Sequence, residues 1–323
     1  MSKTIDQLQR EFLEYLEIEK GAALRTIENY GHAITRFFEF GNNLPADKRV
    51  SNAADITDEV VREFRLCMNR QKVRPVNGVP ATMSRKTQNH YLTALRVFLK
   101  FLARRGIPSL ASDRIDLAKI PERTIDLITP SELTRLLDAP NGDDVKSLRD
   151  KAILETLYST GLRVSELCSL PRDISINSEE LSIRGKGGKV RVVFISERAR
   201  AALKKYLDAR DDMEEGLFVR LSNNRNPIQA RKKYTGKKYD NLDRHSIEHI
   251  VKRYAIMAGI SKKVTPHVIR HCFATDLLGN GADIRSVQIM LGHSSISTTQ
   301  IYTHVTDKQL LNVHKKFHDK GSE

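Results

Sequence analysis

The spacing of apolar residues constrains the fold of this chain more than any other feature. Through the first hundred positions, apolar side chains recur three and four residues apart, which is the period of an amphipathic helix. The pattern is present in four segments, at residues 5–16, 27–38, 60–68 and 91–102. It predicts a four-helix unit, and polar residues at the helix starts predict the N-caps Thr26, Thr57 and Ser84.

A lapse in this spacing predicts the domain boundary. Residues 107–128 lack helical periodicity and include Pro108 and Pro121, which is typical of an extended linker. The next four residues read Thr-Pro-Ser-Glu, a capping box with proline at the first helical position, so a new helix starts there. A chain of 323 residues can bury two separate cores. We therefore predict a helical domain over residues 1–106, a linker over 107–128 and a second domain over 129–323.

The second domain is predicted to be helical around one small sheet. A helix over Ile153 and Tyr158 is expected to end at Gly161, which places Arg163 at the start of the next helix. Apolar runs at residues 180–184 and 189–195 flank a glycine-rich turn, the pattern of an antiparallel hairpin. The predicted fold class is mainly α with a small antiparallel sheet.

Charge narrows the possible partners. The formal net charge of +14 attracts polyanions, so nucleic acid is favoured over a basic surface kept only for solubility. At the start of the fourth helix, Arg85, Lys86, Thr87 and His90 form a polar, cationic face suited to phosphates and base edges, although a solvated helix face is an equal alternative. The basic segment 226–241 is either an extra DNA contact or a solvated loop.

Composition also bears on location. No apolar run approaches the roughly 20 residues that span a bilayer, so we expect no membrane contact. The start of the chain does not read as a secretory leader, and the three cysteines are far apart in sequence. These features predict a cytoplasmic, nucleoid-associated protein.

Candidate functional residues are dispersed over the second domain. Arg163 and Glu166 are three residues apart and face the same side of a helix, so the carboxylate can hold the guanidinium. Lys186 lies in the glycine-rich turn, whose spacing does not match a P-loop. Alone, each pattern is more often a surface ion pair or a plain hairpin.

A second group lies nearer the C-terminus. His267, Arg270 and His271 share one face of a helix that starts at Pro266, and His293 and Tyr302 follow. The two histidines have the spacing of a zinc helix, but Val268 replaces the glutamate of a zinc protease and Arg270 adds a cation. We therefore predict no metal.

Together these segments resemble a known family. TGLRVSEL, GKGGKVR, TPHVIRHCFAT and LGHSSISTTQIYTHV, in this order, are similar to the motifs of tyrosine recombinases, the phage integrase family, and above all of Xer-type site-specific recombinases. The resemblance covers nearly the whole chain and implies a SAM-like core-binding domain followed by a catalytic domain.

The resemblance also implies residue roles. Arg163 and Arg270 match the phosphate clamp, Lys186 the general acid and Tyr302 the nucleophile. His267 is the candidate general base and His293 a phosphate ligand, while Glu166 and His271 match supporting positions.

The implied activity is DNA strand cutting and rejoining through a 3′-phosphotyrosine, with no cofactor. The expected partners are double-stranded DNA with an inverted-repeat site, a homotetramer or a heterotetramer with a paralogue, and an activating DNA translocase. Residues 307–318 have the spacing of an amphipathic helix that docks either on a neighbour or on its own domain.

The expected use is resolution of chromosome or plasmid dimers. The alternatives are an integrase or transposase of a mobile element, a type IB topoisomerase, a catalytically silent DNA-binding protein and a zinc-dependent hydrolase.

Overall fold

The chain folds into two units with separate cores. The computed structural model describes residues 3–76, 79–120, 126–176, 178–185, 188–221, 241–293 and 295–299. Contacts between Cα atoms divide the chain into Met1–Thr124 and Ile125–Glu323. Among the described residues, no helix has the length and apolar character needed to cross a membrane.

The first unit is helical, as predicted. Its helices are α1 (Ile5–Glu14), continued by a π-helical turn (Tyr15–Glu19), α2 (Leu24–Asn42), α3 (Asp58–Arg70) and α4 (Arg85–Arg104). Short 3-10 turns lie at Ala53–Asp55 and Ser112–Arg114. Edge-to-face aromatic pairs fill its core, with ring centroids 5.2 Å apart for both Phe12 with Phe98 and Phe37 with Phe64.

Two local features differ from the prediction. An antiparallel hairpin, β1 (Lys72–Val76) and β2 (Val79–Thr82), lies between α3 and α4, and helical periodicity gave no sign of it. The prediction of Thr26 as an N-cap is wrong because α2 begins nearly a turn earlier, after Ala23, to whose carbonyl the Thr26 N–H donates at 2.7 Å. Thr57 and Ser84 are N-caps, as predicted.

Residues 107–120 of the predicted linker contact the first core, whereas Ile128 belongs to the second core. Ile115 is buried in the first core, and the side chain of Asn89 on α4 makes two hydrogen bonds with the backbone of Ala118, of 2.8 and 3.0 Å. Residues 121–125 lie outside the described ranges. The domain boundaries drawn from the sequence stay predictions.

The second unit is mainly helical with one two-stranded sheet in its described part. Its elements are α5 (Pro130–Asp138), α6 (Val145–Thr160), α7 (Val164–Leu167), β3 (Glu180–Arg184), β4 (Val190–Phe194), α8 (Glu197–Asp208), α9 (Arg244–Met257), α10 (Pro266–Gly279), α11 (Ile284–Leu291) and a 3-10 turn (Ile296–Thr298). This confirms the predicted fold class.

The capping box before α5 is present as predicted. The Thr129 hydroxyl accepts from the Glu132 N–H at 3.2 Å, and the Glu132 carboxylate accepts from the Thr129 N–H at 2.7 Å. Pro130 occupies the first helical turn, where its missing N–H is not needed.

Helix α6 lies at the centre of the second core. Even its polar residues Asp150, Glu155 and Thr160 are buried, and it packs against α5, α8 and α10. The helix ends at Gly161, which has φ of +59°, as the sequence predicts. A left-handed residue lets the chain turn sharply, so Arg163 follows directly at the start of α7.

Strands β3 and β4 pair in antiparallel register, with Ile183 opposite Arg191 and Leu181 opposite Val193. Leu181, Ile183 and Val193 are buried, so this face of the sheet contacts the core. The other face of β4 is exposed.

Candidate active site

The C-terminal turn of α11 is the centre of the site. Gly292 has φ of +62°, its N–H donates to the Ile289 carbonyl at 2.9 Å, and the His293 N–H donates to the Gln288 carbonyl at 3.1 Å. This pair of bonds is the Schellman arrangement, which leaves the carbonyls of the following residues without partners in the helix.

Three arginines from separate segments bind three consecutive carbonyls of this turn. Arg191 Nε on β4 donates to the Met290 oxygen at 3.1 Å, Arg270 Nη2 on α10 to Leu291 at 2.6 Å, and Arg163 Nη2 before α7 to Gly292 at 2.8 Å. The C-terminus of a helix carries partial negative charge, which favours cations there. The turn therefore brings together Arg163 and Arg270, which the sequence separates by more than a hundred positions.

Glu166 links two of these arginines. Its carboxylate accepts from Arg163 Nη1 at 3.0 Å and from the Arg163 backbone N–H at 2.8 Å. Both terminal nitrogens of Arg191 donate to the same carboxylate, at 2.9 and 2.7 Å. Burial alone would raise the pKa of Glu166, but these bonds, led by those from Arg191, lower it to about 2. The carboxylate is therefore charged at neutral pH, and it faces Arg163 as the sequence spacing predicts.

Arg270 is almost fully buried, with 4% of its surface exposed. Besides Leu291, its guanidinium donates through Nη1 to the Gly161 carbonyl at 2.5 Å. It thus ties the end of α6 to the end of α11. Arg163 is more accessible, since 30% of its side chain is exposed.

The histidines lie in the same cationic surroundings. Burial, followed by Arg270 and Arg163, lowers the pKa of His293 to about 4. Burial and then His267 lower the pKa of His271 to about 4, and burial and Arg270 also lower the pKa of His267. All three imidazoles are therefore neutral near pH 7. His293 Nδ1 lies 3.0 Å from the hydroxyl of the buried Thr299.

Two of the predicted site residues, Lys186 and Tyr302, lie outside the described residues, as do most of the basic segment 226–241 and all of segment 307–318. The turn that contains Lys186 is bounded by described residues: the Gly185 N–H donates to the Lys189 carbonyl at 2.7 Å.

The predicted DNA contacts belong to the first unit. Arg85, Lys86, Thr87 and His90 are all exposed in the first turns of α4. Ser84 caps this helix by accepting from the Thr87 N–H at 3.2 Å.

Within the part of the chain that the structure describes, no group of three or more His, Cys, Asp or Glu side chains could hold a metal ion. His267 and His271 have the zinc-helix spacing, but no third ligand of this kind joins them there. The absence of a cofactor stays a prediction.

Sequence reasoning missed Arg191. It lies inside the quoted GKGGKVR segment, but a strand arginine two positions after a lysine looks like a solvated residue. Alternation in β4 gives no signal for it, because Val190, Val192 and Phe194 would normally face the core, whereas the structure puts Arg191 on the core-facing side with Val193.

Both units match known family models. The phage integrase family matches residues 126–309, and the phage integrase N-terminal SAM-like domain matches residues 10–106. The Tyrosine recombinase XerC of Thermodesulfovibrio yellowstonii is 33% identical over 97% of this chain and 96% of its own length. The Tyrosine recombinase XerD of Lacticaseibacillus casei is 36% identical over 96% of this chain and 98% of its own length.

Solved structures share the fold. The XerH site-specific recombinase bound to difH substrate, in a pre-cleavage complex, has a TM-score of 0.65 at 21% identity, over 96% of this chain and 84% of that one. A lambda integrase dimer bound to a COC′ core site has a TM-score of 0.65 at 17% identity, over 92% and 97%.

The fold is thus that of a recombinase domain preceded by a helical SAM-like domain. The chain belongs to the phage integrase family. It is an enzyme of the tyrosine site-specific recombinase class.

Proposed function

We propose that this protein cuts and rejoins duplex DNA at a specific inverted-repeat site, with Tyr302 as the nucleophile. The observation that carries the proposal is the meeting of Arg163 and Arg270 on the adjacent carbonyls of Gly292 and Leu291. Two guanidinium groups held this close together can neutralise the charge that builds on a phosphodiester in the transition state.

The reaction balances without a nucleotide. The Tyr302 oxygen forms a bond to phosphorus while the bond to the 5′-oxygen breaks, leaving a 3′-phosphotyrosine and a free 5′-hydroxyl. His267 takes the phenol proton, because its lowered pKa keeps the imidazole neutral at pH 7. Lys186 gives a proton to the leaving oxygen, His293 hydrogen-bonds the phosphate, and Glu166 and His271 support the arginines and His267.

DNA binding is supported by charge and by the exposed start of α4. The chain carries a net charge of +14, and Arg85, Lys86, Thr87 and His90 present cationic and hydrogen-bonding groups to solvent. We place the duplex against this face, with segment 226–241 as a further contact.

The names of the relatives favour the finer role. The curated relatives at 33% and 36% identity are Xer recombinases, so we propose resolution of chromosome or plasmid dimers over integration of a mobile element. Strand exchange between two duplexes uses four active sites, so we propose a tetramer of this chain, alone or with a paralogue, on DNA. Residues 307–318 connect the protomers, and a DNA translocase activates the assembly.

A nicked suicide duplex tests the chemistry. Wild-type protein should form a covalent adduct that runs slowly on a denaturing gel, and peptide mass spectrometry should place the nucleotide on Tyr302. Tyr302→Phe should bind the duplex with unchanged affinity and form no adduct, whereas the matched variant Tyr158→Phe should form it. An adduct with Tyr302→Phe would refute the nucleophile.

The general acid has its own test. Lys186→Ala should slow cleavage of an ordinary phosphodiester but spare a duplex whose 5′-bridging oxygen is sulfur, because a thiolate leaves without a proton. Equal losses on the two duplexes would remove Lys186 from this role.

A further inference from the structure

We infer that Arg191 is a positioning residue of this site, which holds Glu166 against Arg163 and fixes β4 to the C-terminal turn of α11. The inference rests on the proposed function and adds to it a residue for which the motif comparison gave no role.

The side chain of Arg191 bonds Glu166 and the end of α11 at the same time. Its Nη1 and Nη2 donate to the two carboxylate oxygens of Glu166 at 2.9 and 2.7 Å, and its Nε donates to the Met290 carbonyl at 3.1 Å. Only 10% of the side chain is exposed. A planar guanidinium fits two carboxylate oxygens at once, which an ammonium cannot do. The geometry therefore requires arginine at this position.

Two glycines leave room for this side chain. A Cβ added to Gly292 would lie 3.0 Å from Arg191 Cδ, and one added to Gly185 would lie 3.2 Å from Arg191 Nη1. Gly292 also needs its left-handed φ of +62° to close the helix. The same glycine therefore ends α11 and admits Arg191 against its carbonyls.

Strand β4 directs Arg191 toward the core, although the apolar residues that alternate with it along the strand would be expected there. Side chains alternate across a strand, so placing Arg191 toward the core puts Val190, Val192 and Phe194 outside, where they are 63%, 43% and 49% exposed. The opposite orientation would bury these three. The fold keeps the arginine inside, where Glu166 is its partner.

Charge gives this arrangement a function. Arg163 and Glu166 alone form a neutral pair, which would bind a phosphate weakly. Because Arg191 supplies a second cation to the same carboxylate, the group of three carries a net positive charge. Arg163 is then held in place by Glu166 while the group as a whole still attracts a phosphate.

The test is a double-mutant cycle on adduct formation in single turnover. Arg191→Met should lower the rate about 10²-fold, as expected for a catalytic group misplaced by ~1 Å, while the affinity for the duplex stays within twofold. Arg191→Lys, which keeps the charge and most of the packing, should recover part of the rate. In a Glu166→Gln background, Arg191→Met should add little, because it acts through that carboxylate.

A pH profile separates positioning from general stability. In Arg191→Met the pKa of Glu166 should rise toward its usual value of about 4.3, so the adduct rate should acquire a second acid limb near that pH, in addition to the one that protonation of His267 gives the wild type. The matched control is Arg198→Met, which removes an arginine that donates at 2.6 Å to another buried glutamate, Glu155. This variant should gain no such limb.

A carbon-13 titration of the Glu166 carboxyl by NMR, without DNA, keeps the two proposals distinguishable. If wild-type protein forms no adduct, the proposed function fails, while the titration still decides whether Arg191 controls Glu166. An unchanged Glu166 pKa in Arg191→Met, or rate losses that multiply in the double variant, would overturn the inference.

Discussion

The end of α6 offers a sharp test of how the site is held. Gly161 combines a left-handed φ of +59° with a close approach to α10: a Cβ placed on it would lie 2.4 Å from Phe273 Cδ1 and 2.8 Å from Cε1. The carbonyl of this glycine also accepts the 2.5 Å bond from Arg270. Gly161→Ala therefore strains the backbone and drives a methyl group into a ring one turn from the site.

The expected loss of stability in Gly161→Ala has two parts. A non-glycine residue in the left-handed region costs roughly 1–2 kcal/mol, of which about 0.4–1 kcal/mol is offset by the reduced entropy of the unfolded chain. Forcing an extra methyl group into a packed core adds about 1–3 kcal/mol. Gly259 provides the matched control in the same unit, since it has φ of +67° and nothing within 4 Å of an added Cβ. Gly259→Ala should show the first part alone.

Urea unfolding followed by circular dichroism measures both variants against the wild type. Gly161→Ala should lower the free energy of unfolding by about 1–3 kcal/mol more than Gly259→Ala does. In a Phe273→Ala background, where the ring is absent, the difference between the two glycine variants should shrink to what the contact of the added Cβ with Leu291 Cδ2, at 3.2 Å, still costs. Equal destabilisation by Gly161→Ala and Gly259→Ala in the wild-type background would refute the close approach on which this reasoning depends.

Three further outcomes are expected from urea unfolding. The carboxylate of Asp150 accepts from Arg149 at 2.8 Å and from Arg253 at 2.6 Å. Asp150→Ala removes both ion pairs and should lower the free energy of unfolding by about 3–5 kcal/mol. Thr129→Ala should cost about 1 kcal/mol through loss of the α5 cap, whereas Thr129→Ser should be nearly neutral. The pKa values of His271 and His293 are lowered from 6.5 to about 4 in the folded protein. Because the unfolded chain takes up protons at higher pH than the folded one, the free energy of unfolding should fall as the pH drops from 6.5 to about 4. His271→Gln should flatten this fall, and a midpoint independent of pH between 7 and 4 would contradict the burial of these rings.

Local signals in the sequence predicted much of this fold. The capping box at Thr129, the break at Gly161 and the antiparallel hairpin around the glycine turn depend on neighbouring residues, and the structure has all three. The start of α2 was mispredicted because Ala23 gives no polar cap signal, and Thr26, which does, lies inside the helix. The capping rule fails here because the residue before α2 has no polar side chain to accept from the first N–H groups of the helix.

The site was predictable in part. Spacing alone put Glu166 beside Arg163, because residues three apart on a helix are neighbours. The contact of Glu166 with Arg191 joins a helix to a strand 25 residues away, and no periodicity encodes it. Alternation in β4 predicts the wrong face, since Val190, Val192 and Phe194 would normally be buried and Arg191 exposed.

Three cations gathered at one turn repel each other, so something must offset their repulsion before any substrate arrives. The end of α11 does part of this, because its last carbonyls have no helical donors and carry the negative end of the helix dipole. Glu166 does the rest through its bonds to Arg163 and Arg191. Arg270 donates to the carbonyls of Gly161 and Leu291. Each of the three guanidinium groups also donates to a backbone carbonyl of this turn, whose partial charge neutralises less of the positive charge than a further carboxylate would.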